Sequence, residues 1–131
     1  MTKKVAIIAS NGSLFDAYKV FNIATAAAAS DAEVGIFFTF EGLNLIHKDA
    51  HQQLPTPEGR EHFKEGFEKA NVPSIPELLE MAKELGVKFI ACQMTMDVMG
   101  LDKDQFVDGI EVGGAASFIA YATDANITLT F

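Results

Sequence analysis

The sequence holds no tryptophan and a single cysteine, Cys92, among 131 residues. A lone cysteine excludes an internal disulfide and is most at home in a reducing compartment. Any redox cycle would need a second thiol from elsewhere. Proline is scarce too, and three of the four fall at Pro55, Pro57 and Pro73. Basic residues are the minority charge: ten Lys and Arg stand against eighteen Asp and Glu, for a net charge of −8. That balance argues against nucleic acid, whose phosphates require a basic footprint, and against an anionic membrane surface. The apolar runs break well before the ~18 residues of a membrane span. Lys3-Lys4 leads into a run that stops at Ser10-Asn11-Gly12, too short for a secretory signal. The expectation is a soluble, cytoplasmic protein.

What is present is α/β patterning on a length that suits one domain, residues 1–131. Lys4 to Ala9 is a nearly continuous apolar run, the mark of a central strand covered on both faces. Ser13 and Asp16 form a capping-box pattern for a helix from Leu14 to Ala29. Glu33 to Phe40, rich in β-branched and aromatic residues, reads as the second strand. Residues 43–73 carry all three histidines and many charges, and read as a cover segment over the sheet's carboxyl edge, with a short interrupted helix within 57–68. A helix follows from Pro76 to Leu85, with Gly86 as its stop. Val87 to Ala91 reads as a buried strand ending on Cys92, and Ile110–Val112 and Ile127–Phe131 as two more. Gly113-Gly114 opens a helix through Ala122. The spacing predicts five strands with crossover helices.

Cys92 is the first candidate for chemistry. A thiol at a strand's end, just before a helix, feels free backbone N–H groups and the helix dipole, and both favour the nucleophilic thiolate. Thr95, three residues on, stands within reach of the sulfur. Asp97 opposes ionisation if it is near. The plain alternative is a small buried hydrophobe, a common fate of free cysteine. Met94, Met96 and Met99 suit an apolar pocket, though such a cluster is more often core or an oligomer interface. Asn11-Gly12 and Gly113-Gly114 lie at strand-to-helix turns whose N–H groups suit an anion, though ordinary capped turns look the same. If the strands are parallel, Asn11, Glu41, Cys92 and Gly113 share one rim, where ligands gather in such sheets. His47 and His51 are four apart and form a weak candidate metal pair, with His62 or Cys92 as a further ligand. Solvated loop histidines are the ordinary reading.

The segments Phe37-Phe38-Thr39-Phe40-Glu41-Gly42-Leu43-Asn44 and Ala91-Cys92-Gln93-Met94-Thr95-Met96-Asp97-Val98-Met99-Gly100, with Gly113-Gly114-Ala115-Ala116, resemble the DsrE/DsrF/DsrH-like family, in its branch often labelled peroxiredoxin-like. The resemblance covers nearly the whole chain. It implies a three-layer α/β/α fold with a mostly parallel, five-stranded, flavodoxin-like sheet, and oligomers, commonly trimers or hexamers. It also implies sulfur carried as a persulfide on the cysteine that Cys92 matches. Thr95 stands where serine is expected, which keeps the hydroxyl. Residues 43–73 lack the methionine-rich stretch of the branch. No Pro-x-x-x-Thr-x-x-Cys pattern precedes Cys92, so nothing but the label points to peroxiredoxin chemistry.

The first expectation is therefore a sulfur-relay protein or sulfurtransferase. Cys92 and Thr95 would perform the chemistry, and Asn11, Gly12, Glu41, Gln93, Met94, Met96, Gly113 and Gly114 would line the site. No cofactor is called for. The partners would be sulfur donors and acceptor thiols, protein or small, and further copies of the chain. The alternatives are a non-catalytic oligomeric module that binds a small ligand, and a zinc site using His47 and His51.

Overall fold

The computed structural model describes residues 2–131. The strands are β1 (Lys4–Ala9), β2 (Glu33–Phe38), β3 (Lys88–Cys92), β4 (Ile110–Gly113) and β5 (Ile127–Thr130). They form one five-stranded sheet in the order β4-β3-β2-β1-β5, and every neighbouring pair is parallel. The helices are α1 (Leu14–Ala29), α2 (Phe63–Lys69), α3 (Ile75–Glu84), α4 (Gln93–Met99) and α5 (Ala115–Ala122). The α/β fold with a parallel five-stranded sheet is as expected. Its strand order differs from the flavodoxin order 2-1-3-4-5: the chain steps from β1 to β4 in one direction and then returns across the sheet to lay β5 beside β1.

Alternation along the strands sorts their side chains between two faces. Val5, Ile7, Ala9, Val34, Ile36, Phe38, Phe89 and Ala91 join the main core with α1 and α3. There Phe38 and Phe89 meet edge to face, with centroids 5.7 Å apart, and Phe21 of α1 packs 6.3 Å from each. Ala6, Phe37, Ile90 and Cys92 point the other way and meet Phe118 of α5. Gly35 of β2 is a requirement of that second face. A Cβ there would lie 2.3 Å from the Tyr121 ring, so only glycine lets the ring lie on the sheet.

Capping boxes open α1 (Ser13 with Asp16) and α3 (Ser74 with Glu77). Several boundaries differ from expectation, most by a single residue. The second strand ends at Phe38, not Phe40, because a 3-10 turn over Phe40–Leu45 folds the chain back against β1. α3 begins one residue earlier, at Ile75, since Ser74 is the cap and Pro76 sits in the first turn, where proline is tolerated. α2 lies at the end of its expected span and carries Phe63 and Phe67 onto Phe15 and Tyr18 of α1. The 43–73 segment thus touches α1 through α2 and is tied there by the Leu14 N–H to Pro55 carbonyl bond of 2.8 Å, while its earlier part packs on α3 and into the main core. Its start also reaches the stretch before β4, where Lys48 N–H donates to the Gln105 carbonyl at 2.9 Å. Among the described residues, no helix is long and apolar enough to cross a membrane.

Candidate functional site

Parallel strands bring their carboxyl ends to one edge, and Cys92 is the last residue of β3 there. In register it pairs with Gly113 of β4. On the other side, β2 and β3 pair as far as Phe38 with Ala91, so the next step along both strands sets Thr39 beside Cys92. Cys92 is also the N-cap residue of α4, with φ −68° and ψ 115°. The α4 N–H groups therefore open toward the sulfur, which is only 5% exposed.

The polar groups around this sulfur form a small network. Thr95 is buried, and its Oγ1 accepts from Phe40 N–H at 3.2 Å. It shares a second hydrogen bond of 3.2 Å with Thr39 Oγ1. Burial pushes the Cys92 thiol pKa up. The Thr95 hydroxyl, the Thr95 N–H, the Thr39 hydroxyl and the Met94 N–H outweigh that effect and hold the thiol below its ordinary value. None of these contacts closes to a capping bond in the resting structure. They polarise the sulfur and would shorten onto a thiolate, as charge-assisted bonds do. Phe40 contributes through its backbone, which is held at φ +50°. A bulky residue is strained there, and such strain concentrates at functional sites.

Beside the network runs a shallow groove of about 190 Å³, lined by Phe40, Glu41, Met94, Thr95, Val98 and Met99. Its apolar walls are exposed, Val98 at 79% and Met94 at 56%. Close backbone packing fixes the neighbouring turns. A Cβ on Gly12 would sit 2.5 Å from the Glu41 carbonyl oxygen, and one on Gly42 would sit 1.9 Å from that of Ala9.

The residues singled out from the sequence divide into three groups. Cys92, Thr95 and Gly113 stand together, and Glu41 and Met94 line the groove that ends on Thr95. Gly12 belongs to this rim through its contact with Glu41, while Asn11 is exposed at the same turn. Gly114 caps α5 and faces open space. Two residues face elsewhere. Met96 is 3% exposed within the main core, because a helix that turns 94, 95, 98 and 99 toward the groove turns 96 inward. Gln93 donates along the helix to Asp97 at 2.8 Å and lies in solvent. Thr39 and Phe40 were not singled out. The signal for Thr39 was the strand register, which continues the Phe37-Phe38 alternation one step to the level of Cys92.

The histidines have structural tasks. His47 Nδ1 accepts from the N–H groups of Asp49 and Ala50, both at 3.2 Å, and His51 Nδ1 lies 2.7 Å from the His47 carbonyl. Among the described residues, no three His, Cys, Asp or Glu side chains gather closely enough to hold a metal. The zinc reading of His47 and His51 therefore has no ligand set in this fold.

Comparison with known proteins places this arrangement. The chain is 38% identical to the sulfur carrier protein DsrE2 of Allochromatium vinosum, in an alignment covering 97% of each chain. It is 32% identical to the uncharacterized protein YrkE of Bacillus subtilis, over 98% of this chain and 96% of that one. The alignment to DsrE2 is longer than this chain, so the relative carries residues that this chain does not. In fold, it superposes on the crystal structure of the ychN protein from E. coli with a TM-score of 0.66 at 22% identity over the whole of both chains. MTH1491 from Methanobacterium thermoautotrophicum gives a TM-score of 0.64 at 14% identity, over 97% and 98% of the two chains. A model of the DsrE/DsrF/DrsH-like family matches residues 1–64 and 56–130. The chain belongs to the DsrE/DsrF/DrsH-like family.

Proposed function

We propose that this protein takes part in sulfur relay by carrying sulfane sulfur on Cys92. The observation that carries the reading is the convergence of hydroxyl and N–H donors on the sulfur, which favours the thiolate in spite of burial. The kinship with a sulfur carrier protein points the same way. In the reaction, the Cys92 thiolate attacks the outer sulfur of a donor persulfide, R–S–SH. A bond forms between Sγ and that sulfur, the R–S bond to it breaks, and its electron pair leaves as R–S⁻. With a thiosulfate-type donor the leaving group is sulfite. Cys92–S–SH then surrenders its outer sulfur to an acceptor thiolate by the same displacement, and Cys92 leaves as thiolate. Thr95 and Thr39 stabilise the charge on sulfur at both stages. The carrier would approach along the groove that ends on Thr95, and no cofactor enters the cycle.

The protein would work in the reducing cytoplasm, as a sulfurtransferase or as a carrier, and as a homo-oligomer. A trimer or hexamer is the assembly that the family resemblance implies. The exposed apolar side chains of α4 and α5, among them Val98 and Ile119 at 64%, suit contacts between copies.

A second reading has one observation in its favour. Cys92 is 5% exposed, as a purely structural cysteine in a ligand-binding module would be. Iodoacetamide separates the two. Sulfur carriage predicts fast labelling of native Cys92 near neutral pH, matching or exceeding a free cysteine. Labelling that waits on unfolding would favour the binding module, and Cys92→Ser would then leave ligand binding intact.

A further inference from the structure

The charges around Cys92 bear on which sulfur carriers it accepts, an inference that rests on the sulfur-carrying role of Cys92. The stretches at and just past the carboxyl ends of β1 to β4, residues 10–13, 39–45, 92–99 and 113–117, contain no lysine, arginine or histidine. Besides Cys92, their ionisable side chains are Glu41 and Asp97. Glu41 lines the groove that ends on Thr95, and the other groove walls are apolar or the threonine itself. Asp97 is engaged by the Gln93 amide. The N–H groups of Met94 and Thr95 are turned to the sulfur and not to an oxyanion in the groove. The protein's net charge of −8 adds to the same field.

A site for thiosulfate, sulfite or another small anion needs cations or free N–H donors to offset the charge that it brings. This groove offers the opposite. We propose that Glu41 is a specificity-determining residue that turns anionic sulfur compounds away. Cys92 then draws its sulfur from persulfides whose atoms beside the sulfur are neutral or cationic, and thiosulfate is a poor donor. The displacement is the one described above, with the charge of R as the variable.

Three disulfides of similar size test the point: cystamine with cationic arms, 2-hydroxyethyl disulfide with neutral arms and dithiodiglycolate with anionic arms. In each, the Cys92 thiolate attacks one sulfur, the disulfide bond breaks, and one arm leaves as thiolate carrying the electron pair. Mixed-disulfide formation on the intact protein is followed by mass. Each rate is divided by that of the same disulfide with the neutral thiol N-acetylcysteine amide, which removes leaving-group differences. A unit charge about 6 Å from a carboxylate in water alters a rate roughly threefold, so cationic over anionic arms should differ about tenfold at low salt. Near 1 M salt, where the screening length is about 3 Å, the ratio should approach one. Glu41→Gln should bring the low-salt ratio down about tenfold, close to one, and Asp97→Asn should cut it less. A normalised anionic rate equal to the neutral one at low salt, or a ratio that Glu41→Gln leaves unmoved, would overturn the assignment. The salt series needs no variant and stands even if one fails to fold. Absence of reaction with all three disulfides would instead overturn the sulfur-carrying role of Cys92 beneath it.

Discussion

The face of the sheet under α1 and α3 and the face under α5 are built differently. Under α1 and α3, aromatic and aliphatic side chains close into a continuous core, and Phe21, Phe38, Phe89, Ile7 and Ile36 are wholly buried. Under α5, the buried set is short and includes Cys92 itself, Ile119 stands out in solvent, and a glycine replaces a strand side chain to seat Tyr121. The larger buried core lies on one face and the Cys92 thiol sits on the other. The division has a physical basis, because interiors packed at crystal density do not admit a reacting molecule. A thiol that must meet a donor needs a thinner wall and a polar network that a sealed core excludes.

The comparison can be broken by mutation. Phe21→Ala in the thick core should cost about 3–5 kcal/mol in urea unfolding, and Phe118→Ala on the α5 face should cost clearly less. Equal costs would erase the asymmetry. Gly35→Ala forces a methyl into the Tyr121 ring, and such overpacking costs about 1–3 kcal/mol. It tests whether the α5 face is rigid; a loss near zero would mean that the ring moves freely. Ser74→Ala removes a formed helix cap and should cost about 1 kcal/mol without altering Cys92 labelling. The finest effect is on the thiol. Its folded pKa is lowered, so its thiolate forms at lower pH than that of a free cysteine, and the alkylation profile should rise correspondingly early. Thr95→Val removes a listening hydroxyl from the sulfur and should move the profile to higher pH. Thr95→Ser should restore it, and Thr39→Val should move it less. A profile that stays put in Thr95→Val would remove the threonines from the account.

Much of this was legible in the sequence. The apolar runs marked the strands because parallel strands are covered on both faces, and the serines before α1 and α3 marked their starts. Cys92 and Thr95 could be paired because three residues separate them along one element. Thr39 could not, since its neighbour lies 56 positions away and only the β2–β3 register joins them. The end of β2 was misjudged for a related reason. Phe40 has strand propensity, but the close approach of Gly42 to β1 turns the chain first. Met96 stands in the sequence between Met94 and Met99, which do line the groove, and nothing in the pattern sets it apart from them. The rotation of a short helix decides which methionine turns inward, and three similar side chains in seven residues do not encode it.

The most direct measurement of the central claim is the intact mass of the protein after incubation with a neutral persulfide donor, wild type beside Cys92→Ser. The account predicts a gain of one sulfur, ~32 Da, in the wild type alone, reversed by a reducing thiol as exchange chemistry requires. An unchanged wild-type mass, with Cys92 shown to be accessible to iodoacetamide, would contradict it, as would the same gain in Cys92→Ser.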